Sequence, residues 1–137
     1  MKVIFLDIDG VLNTNSDREI SNDKLKLLSE LVSKTGADVV LSSSWRYGWN
    51  KPELNKPGTR IYRLKQLLKD TGIVIKETIG LDLTKSIQIK NYLNTNMISN
   101  YVVLDDEPID IGNLVQTNGD IGLTHFDCQK AAQLFLN

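Results

Sequence analysis

The sequence predicts an α/β fold: a single Rossmann-like three-layer sandwich around a central, mostly parallel five-stranded sheet. Three observations carry that expectation. Short apolar runs alternate with longer segments of helical periodicity, the runs pass into polar residues, and glycines stand just beyond two of the helical segments. Strands and helices in such alternation build βαβ units, whose crossovers leave neighbouring strands parallel.

Lys2–Asp7 opens the chain as a short apolar run of buried-strand character. Ser21–Lys34 follows as a helix, with Leu25, Leu28, Leu31 and Val32 on one face, Ser21 or Asn22 as its cap, and Gly36 past its end. Asp38–Leu41, "DVVL", is a second buried strand that runs into "SSSWR". The stretch Tyr47–Gly58 carries two prolines and two glycines and reads as a loop. Thr59–Asp70 is helical through Ile61, Leu64, Leu67 and Leu68, with Gly72 beyond it. Ile73–Ile75 is a short strand and Thr84–Leu93 a helix. Tyr101–Leu104 is a fourth strand that ends in "DDE", Asn113–Gln116 a fifth, and Phe126–Leu136 a closing helix.

Composition narrows the class. At 137 residues the chain fits one domain, 1–137, with a core of its own. Sixteen basic and seventeen acidic residues give a net charge of -1, which does not advertise non-specific binding to nucleic acid or membrane. The lone cysteine, Cys128, has no partner for an internal disulfide and reads as core, which suits a reducing cytoplasm. The apolar run in "MKVIFLDIDG" is too short for a signal peptide, and no 18-residue apolar stretch exists, so the expected location is cytoplasmic and off the membrane.

In a parallel α/β sheet the ligand site lies outside the carboxyl ends of the strands. Here those ends carry chemistry. The first strand exits into Asp7 and Asp9, and the second into Ser42, Ser43, Ser44 and Arg46. The fourth exits into Asp105, Asp106 and Glu107, and Lys85 stands at the start of the preceding helix. Two acids one residue apart repel each other, so their place at a buried rim calls for positive charge, a metal ion being the natural source. Carboxylates, hydroxyls and an ammonium on one rim suit a divalent, oxygen-loving cation together with a phosphate. A calcium loop is excluded at Gly10, because no run of alternating oxygen ligands follows it.

Four motifs in order, "VIFLDIDGV", "DVVLS", the lysine of "TKSIQIKNYL" and "YVVLDDE", resemble those of the haloacid dehalogenase superfamily, specifically its phosphatases. The nearest likeness is to small capless phosphatase-like domains with "DxDGVLN", "LSSSWR" and "LDDE" signatures, among them domains associated with nucleic-acid repair. The resemblance implies a Mg²⁺-dependent phosphomonoesterase that works through an aspartyl-phosphate. Asp7 would be the nucleophile, and Asp9 the acid that protonates the leaving oxygen and later activates water. Ser42 would bond a phosphoryl oxygen, and Lys85, preferred over Lys90, would neutralise shared charge. Asp7, the Asp9 carbonyl, Asp106 and its neighbour Asp105 would hold Mg²⁺, with Asp106 weighted above Asp105. Gly10 gives the turn its freedom, while Ser43 and Arg46 would touch the substrate. Glu107 and Asp110 read as surface or supporting groups, His125 as a surface residue, Trp45 as packing, and Trp49 as a platform on which a base could stack.

Neither the Asp9–Ser42 interval nor the Ser42–Lys85 interval has room for a globular cap, so the expected site is open. An open site favours a phosphate on a macromolecular terminus, nucleic acid included, over a fully enclosed metabolite. Arg46, Lys51, Lys56 and Arg60 would then line a groove for a polyanion. Two alternatives stay open: a phosphotransferase or phosphomutase at the same site, and a non-catalytic phosphate- or metal-binding module. The sequence does not fix the oligomeric state.

Overall fold

In a computed structural model that describes residues 1–136, five strands form one sheet and four α-helices cover it. The strands are β1 (Lys2–Leu6), β2 (Asp38–Leu41), β3 (Ile75–Thr78), β4 (Asn100–Asp105) and β5 (Leu114–Gln116). The helices are α1 (Asn22–Thr35), α2 (Arg60–Thr71), α3 (Lys85–Thr95) and α4 (His125–Leu136). Strand order is β3-β2-β1-β4-β5, and every pairing is parallel. The chain builds outward from β1 through β2 to β3, then crosses back to lay β4 against the other side of β1. That reversal makes a crevice at the carboxyl ends of β1 and β4.

Alternation along the strands splits the core between the two sheet faces. Ile4 and Leu6 of β1, with Val102 and Leu104 of β4, pack with the apolar residues of α1, α2 and α4. Val3 and Phe5, with Val40 and Val103, pack instead with Ile89, Tyr92 and Leu93 of α3. One face therefore carries three helices and the other carries α3 alone.

Local signals fix the helix ends. The Ser21 hydroxyl accepts from the Lys24 amide at the start of α1, and Gly36 ends it in the left-handed region at φ 70°. Thr59 caps α2 in the same way, accepting from the Tyr62 amide at 3.2 Å.

The third strand lies further along the chain than the apolar run Ile73–Ile75 suggests. Ile73 belongs to the end of α2: its amide donates to the Leu68 carbonyl, and its side chain is buried against the helix. The edge strand that follows exposes Lys76 and Glu77, so it shows no apolar run to read.

The Tyr47–Gly58 loop is also more ordered than its composition implies. Short 3₁₀ turns occupy Ser44–Tyr47 and Pro52–Leu54. The Asn55 side-chain amide donates to the carbonyls of Lys51 at 2.7 Å and Trp49 at 3.0 Å. Trp49 is only 8% exposed and belongs to the core, with Lys65 Nζ 4.6 Å above its ring. Its burial favours a packing role for this residue over a base-stacking platform. Cys128 is buried, and His125 is exposed at the start of α4. No helix among the described residues is long and apolar enough to cross a membrane.

Because α3 alone covers its face and begins with Lys85, its anchor matters to both core and rim. Ile89 is fully buried there. Ile89→Ala is expected to lower the unfolding free energy by about 2–5 kcal/mol, read by urea denaturation.

Candidate active site

Strand register brings the rim together. Leu6 pairs with Leu41 on one side and with Leu104 on the other, so the next residues along, Asp7, Ser42 and Asp105, stand abreast. The ladder continues through them: the Asp7 amide donates to the Leu104 carbonyl at 3.0 Å, and the Ser42 amide to the Leu6 carbonyl at 2.9 Å. All three share the parity of Phe5, Val40 and Val103, which face α3. A crossover helix runs against its strands, so α3 starts at this rim and delivers Lys85 to it.

The charges then interlock. Lys85 Nζ lies 2.7 Å from Asp105 Oδ2 and 3.6 Å from Asp7 Oδ1. Asp105 is fully buried, and its other oxygen accepts from the Glu107 amide at 2.9 Å, so both its oxygens are engaged by the protein. The Asp106 carboxylate accepts no hydrogen bond among the described residues, and one oxygen of it lies within 4.8 Å of ligand oxygens from both Asp7 and Asp105. Burial, then the charge of Asp105, pushes the Asp7 carboxyl up to about 8, against the opposing pull of Lys85. Burial works against the Lys85 ammonium, but Asp7 and Asp105 outweigh it, and its pKa is raised.

Three carboxylates against one ammonium leave the cluster short of positive charge. Mg²⁺ fits that deficit: it is a hard cation that takes oxygen ligands, few of them carboxylates, and keeps several waters. The Ser42 hydroxyl is a second unfinished feature. It is fully buried and has no hydrogen-bond partner among the described residues, and buried hydroxyls are rarely left without a partner, a water or a ligand.

Gly10 turns the chain directly after the two acids of "DIDG". Its φ of 79° favours glycine, and a Cβ there would meet the Asp106 side chain, whose own Cβ would be 2.8 Å away. Asn13 and Thr117 pin this turn. The Asn13 side chain accepts from the Gly10 amide at 2.9 Å and donates to Asp9 Oδ1 at 2.9 Å, and Thr117 donates to the Gly10 carbonyl at 2.7 Å. Asp9 is thereby held outside the three-carboxylate cluster, at the mouth of a cleft. Its second oxygen accepts from the Trp45 indole N–H at 3.1 Å, and the guanidinium groups of Arg18 and Arg60 lie 3.6 and 3.9 Å from its first.

Of the residues that the sequence singles out, Asp7, Ser42, Lys85, Asp105 and Asp106 meet at the rim, while Asp9 and Gly10 form the adjoining turn. Ser43 caps the first 3₁₀ turn, its hydroxyl accepting from the Trp45 amide at 3.1 Å. Arg46 departs from expectation. Its guanidinium is buried and donates to the carbonyls of Gly80, Ser42 and Ser43, with the Tyr47 hydroxyl beside it. It braces the second motif from beneath rather than reaching for substrate, because three backbone oxygens at a strand end already occupy its donors. Of the four charges expected to line a groove, Arg60 alone borders the cleft; Arg46 is buried, and Lys51 and Lys56 are exposed outside its lining. Lys90 pairs at the surface with Asp110.

Trp45, Asn13 and Thr117 were not singled out for the site. Asn13 and Trp45 lie inside the strings "DIDGVLN" and "SSSWR", so their motifs held a signal. Thr117 follows an inconspicuous edge strand and offered none.

The raised Asp7 carboxyl makes a pH prediction for metal-free protein. A carboxyl whose pKa rises on folding stabilises the fold fully below its ordinary 3.8 and progressively less as pH climbs towards about 8. In EDTA the melting temperature should therefore fall from about pH 5.5 to 8, and fall less in Asp7→Asn, which cannot titrate. Added Mg²⁺ should raise it more at pH 8 than at pH 5.5, because cation and proton compete for the same oxygens. Melting curves of the two proteins that run parallel across this range would contradict the electrostatic account.

Comparison with known proteins now adds a family to the geometry. Over residues 3–128 the chain matches the model of a family described as the HAD domain in Swiss Army Knife RNA repair proteins. No curated protein and no solved structure matches it. The matched span runs from the first strand to the closing helix and takes in every rim residue named above. The chain belongs to the haloacid dehalogenase domain family of Swiss Army Knife RNA repair proteins.

Proposed function

We propose that the chain is a Mg²⁺-dependent phosphomonoesterase that removes a terminal phosphate through an aspartyl-phosphate on Asp7, with the phosphorylated end of an RNA strand as substrate. The observation that carries this reading is the convergence on Asp7 of an ammonium and a carboxylate without protein partners, with the orphaned Ser42 hydroxyl abreast of it on the next strand. The family's description speaks of RNA repair proteins, and that is the support for RNA as the substrate class.

Asp7 attacks the phosphorus. A bond forms between its carboxylate oxygen and phosphorus while the bond from phosphorus to the substrate's alcohol oxygen breaks. Asp9 gives that oxygen its proton. Water then attacks the acyl phosphate, the Asp9 carboxylate takes the water's proton, and inorganic phosphate leaves as Asp7 is regenerated. Lys85 offsets negative charge on Asp7 and the phosphoryl group, and the Ser42 hydroxyl donates to a phosphoryl oxygen. Asp7, Asp106 and the Asp9 carbonyl would hold Mg²⁺, with Asp105 keeping Lys85 in place. The ion, when bound, neutralises charge on the phosphoryl oxygens.

Two consequences are measurable with p-nitrophenyl phosphate. Turnover should require Mg²⁺ and vanish in EDTA and in Asp7→Asn. Asp9→Asn should instead accumulate phosphorylated protein, visible by rapid acid quench and intact mass, because an activated leaving group departs without an acid while the second step still needs its base. No turnover by the wild-type protein would leave a binding module in place of an enzyme.

Ser42 gives a separable effect. Its hydroxyl makes no bond within the protein, so Ser42→Ala should leave stability unchanged within about 1 kcal/mol, or raise it. Activity should fall roughly 10- to 100-fold, the range for loss of a donor to a charge that develops in the transition state. A large loss of stability would mean that the hydroxyl serves the fold.

A further inference from the structure

Asp9 faces two ways. Behind it lies the carboxylate cluster, and in front of it opens a cleft of about 390 Å³ lined by Ser44, Trp45, Gly48, Leu54, Thr59, Arg60 and Ile61 in addition to Asp9 itself. A volume in the range of about 300–1,000 Å³ suits a small-molecule-sized group and is far too small for a whole macromolecule. The acid that protonates the leaving oxygen stands at the cleft's inner edge, so whatever carries that oxygen must extend into the cleft.

The lining then describes that group. Trp45, Leu54 and Ile61 supply apolar walls, and Gly48 leaves a gap that a Cβ would close against Leu54 and Ile61. The Trp45 indole is fixed by its bond to Asp9, so its ring is a rigid plane. That plane already accepts a flat, cationic partner: the Arg60 guanidinium lies over it at 4.4 Å. Arg60 is largely exposed and is otherwise tied only by its 3.9 Å approach to Asp9, so it is free to leave the ring. Flat walls, a flat guest and a releasable cation beside an acid match a nucleoside with a second phosphate beyond it.

We infer that this cleft is the leaving-group site for the terminal nucleoside, whose base takes the place on Trp45 that Arg60 now covers while Arg60 moves to the next phosphate of the strand. The role as a leaving-group site rests on the phosphomonoesterase reading; the binding of a nucleoside does not. A phosphorylated serine or threonine would leave the indole plane bare, so phosphopeptides are the disfavoured class.

Activity and binding test the two readings separately. For activity, kcat/KM is measured with Mg²⁺ on uridine 3′-monophosphate, uridine 5′-monophosphate, a phosphoserine peptide and acetyl phosphate, whose leaving group is too small to fill the cleft. Either uridine nucleotide should exceed the phosphopeptide by about tenfold or more, and the preferred one identifies the strand end. Leu54→Trp fills the cleft from a position that is 39% exposed, and Ser44→Trp fills it from a second, exposed lining position should the first variant fold poorly. Either should cut the ratio of nucleotide to acetyl phosphate turnover about tenfold, equivalent to roughly 1.4 kcal/mol. For binding, calorimetry in the Asp7→Asn background compares each nucleotide with inorganic phosphate, and the same filling substitution should erase the nucleotide's advantage. A preference for the phosphopeptide, or a ratio that shifts less than about twofold on filling, overturns the cleft assignment. If the wild type turns over none of these substrates, the phosphomonoesterase reading falls, and calorimetry alone then decides whether the cleft takes a nucleoside.

Discussion

The whole rim depends on one ammonium between two carboxylates that the sheet forces together. Parallel pairing sets Asp7 and Asp105 side by side at the ends of β1 and β4, and strand parity turns both towards α3. Neither can move apart without breaking the ladder that holds the centre of the sheet. Lys85 arrives from the first turn of the one helix on that face, which must start at this rim because a crossover helix runs against its strands. One positive charge answers two negative ones, and Asp106 adds a third. The fold therefore builds an electrostatic deficit into the end of its central strands, and a buried deficit of that kind is relieved by a proton or by a cation.

Against that background the two acids of "DIDG" are not equivalent, though one residue separates them. Asp7 is buried among like charges, whereas Asp9 is half-exposed and meets donors: Asn13, Trp45, and the guanidinium groups of Arg18 and Arg60. The turn at Gly10, directly after them, contributes to the difference: it brings Asn13 back onto Asp9, and its missing side chain leaves the space that Asp106 fills. A bound cation would oppose the rise that burial and like charge impose on the Asp7 carboxyl, whereas Asp9 already has its donors in the protein.

Much of this was legible in the sequence, for identifiable reasons. Buried parallel strands must be continuously apolar, so β1, β2 and β4 announced themselves, and their polar exits marked the rim. Helix ends were readable where a hydroxyl cap or a left-handed glycine closed them, as at Ser21, Gly36 and Gly72, whereas Thr59, taken as the first helical residue, is the cap of α2. The edge strand β3 was misplaced because an edge need be apolar on neither face, and the apolar Ile73 before it serves the preceding helix. The side chains of the second motif were harder still. Arg46 and Trp45 are neighbours in sequence, and composition makes the arginine the better ligand for phosphate and the tryptophan the better core residue. The 3₁₀ turn overturns the first half of that assignment and leaves the second half true only in part, because Trp45 packs against the core and also borders the cleft. The turn points Arg46 inward onto backbone carbonyls and lays Trp45 along the cleft beside Asp9. Which of two adjacent residues faces inward depends on the local turn, and no periodicity over so short a segment reveals it.

The same segment bears on how a site without a large cap selects its substrate. Neither the β1–α1 connection nor the stretch from β2 to α3 contains a separate globular insert, so selection falls to whatever the α/β layer itself places beside Asp9. The residues between β2 and α2 are held down from both ends. Arg46 ties the first turn to the strand ends, and the Thr59 hydroxyl joins the second turn to the start of α2 through its 2.6 Å bond to the Leu54 carbonyl. Between them, Trp49 is sunk in the core, and Lys65 donates to its carbonyl at 2.7 Å. A segment anchored at each of these points makes a wall rather than a lid. With its shape set by these anchors, discrimination under the proposed reading would rest on which groups fit beside Trp45, and exposed Arg60 would supply an adjustable contact.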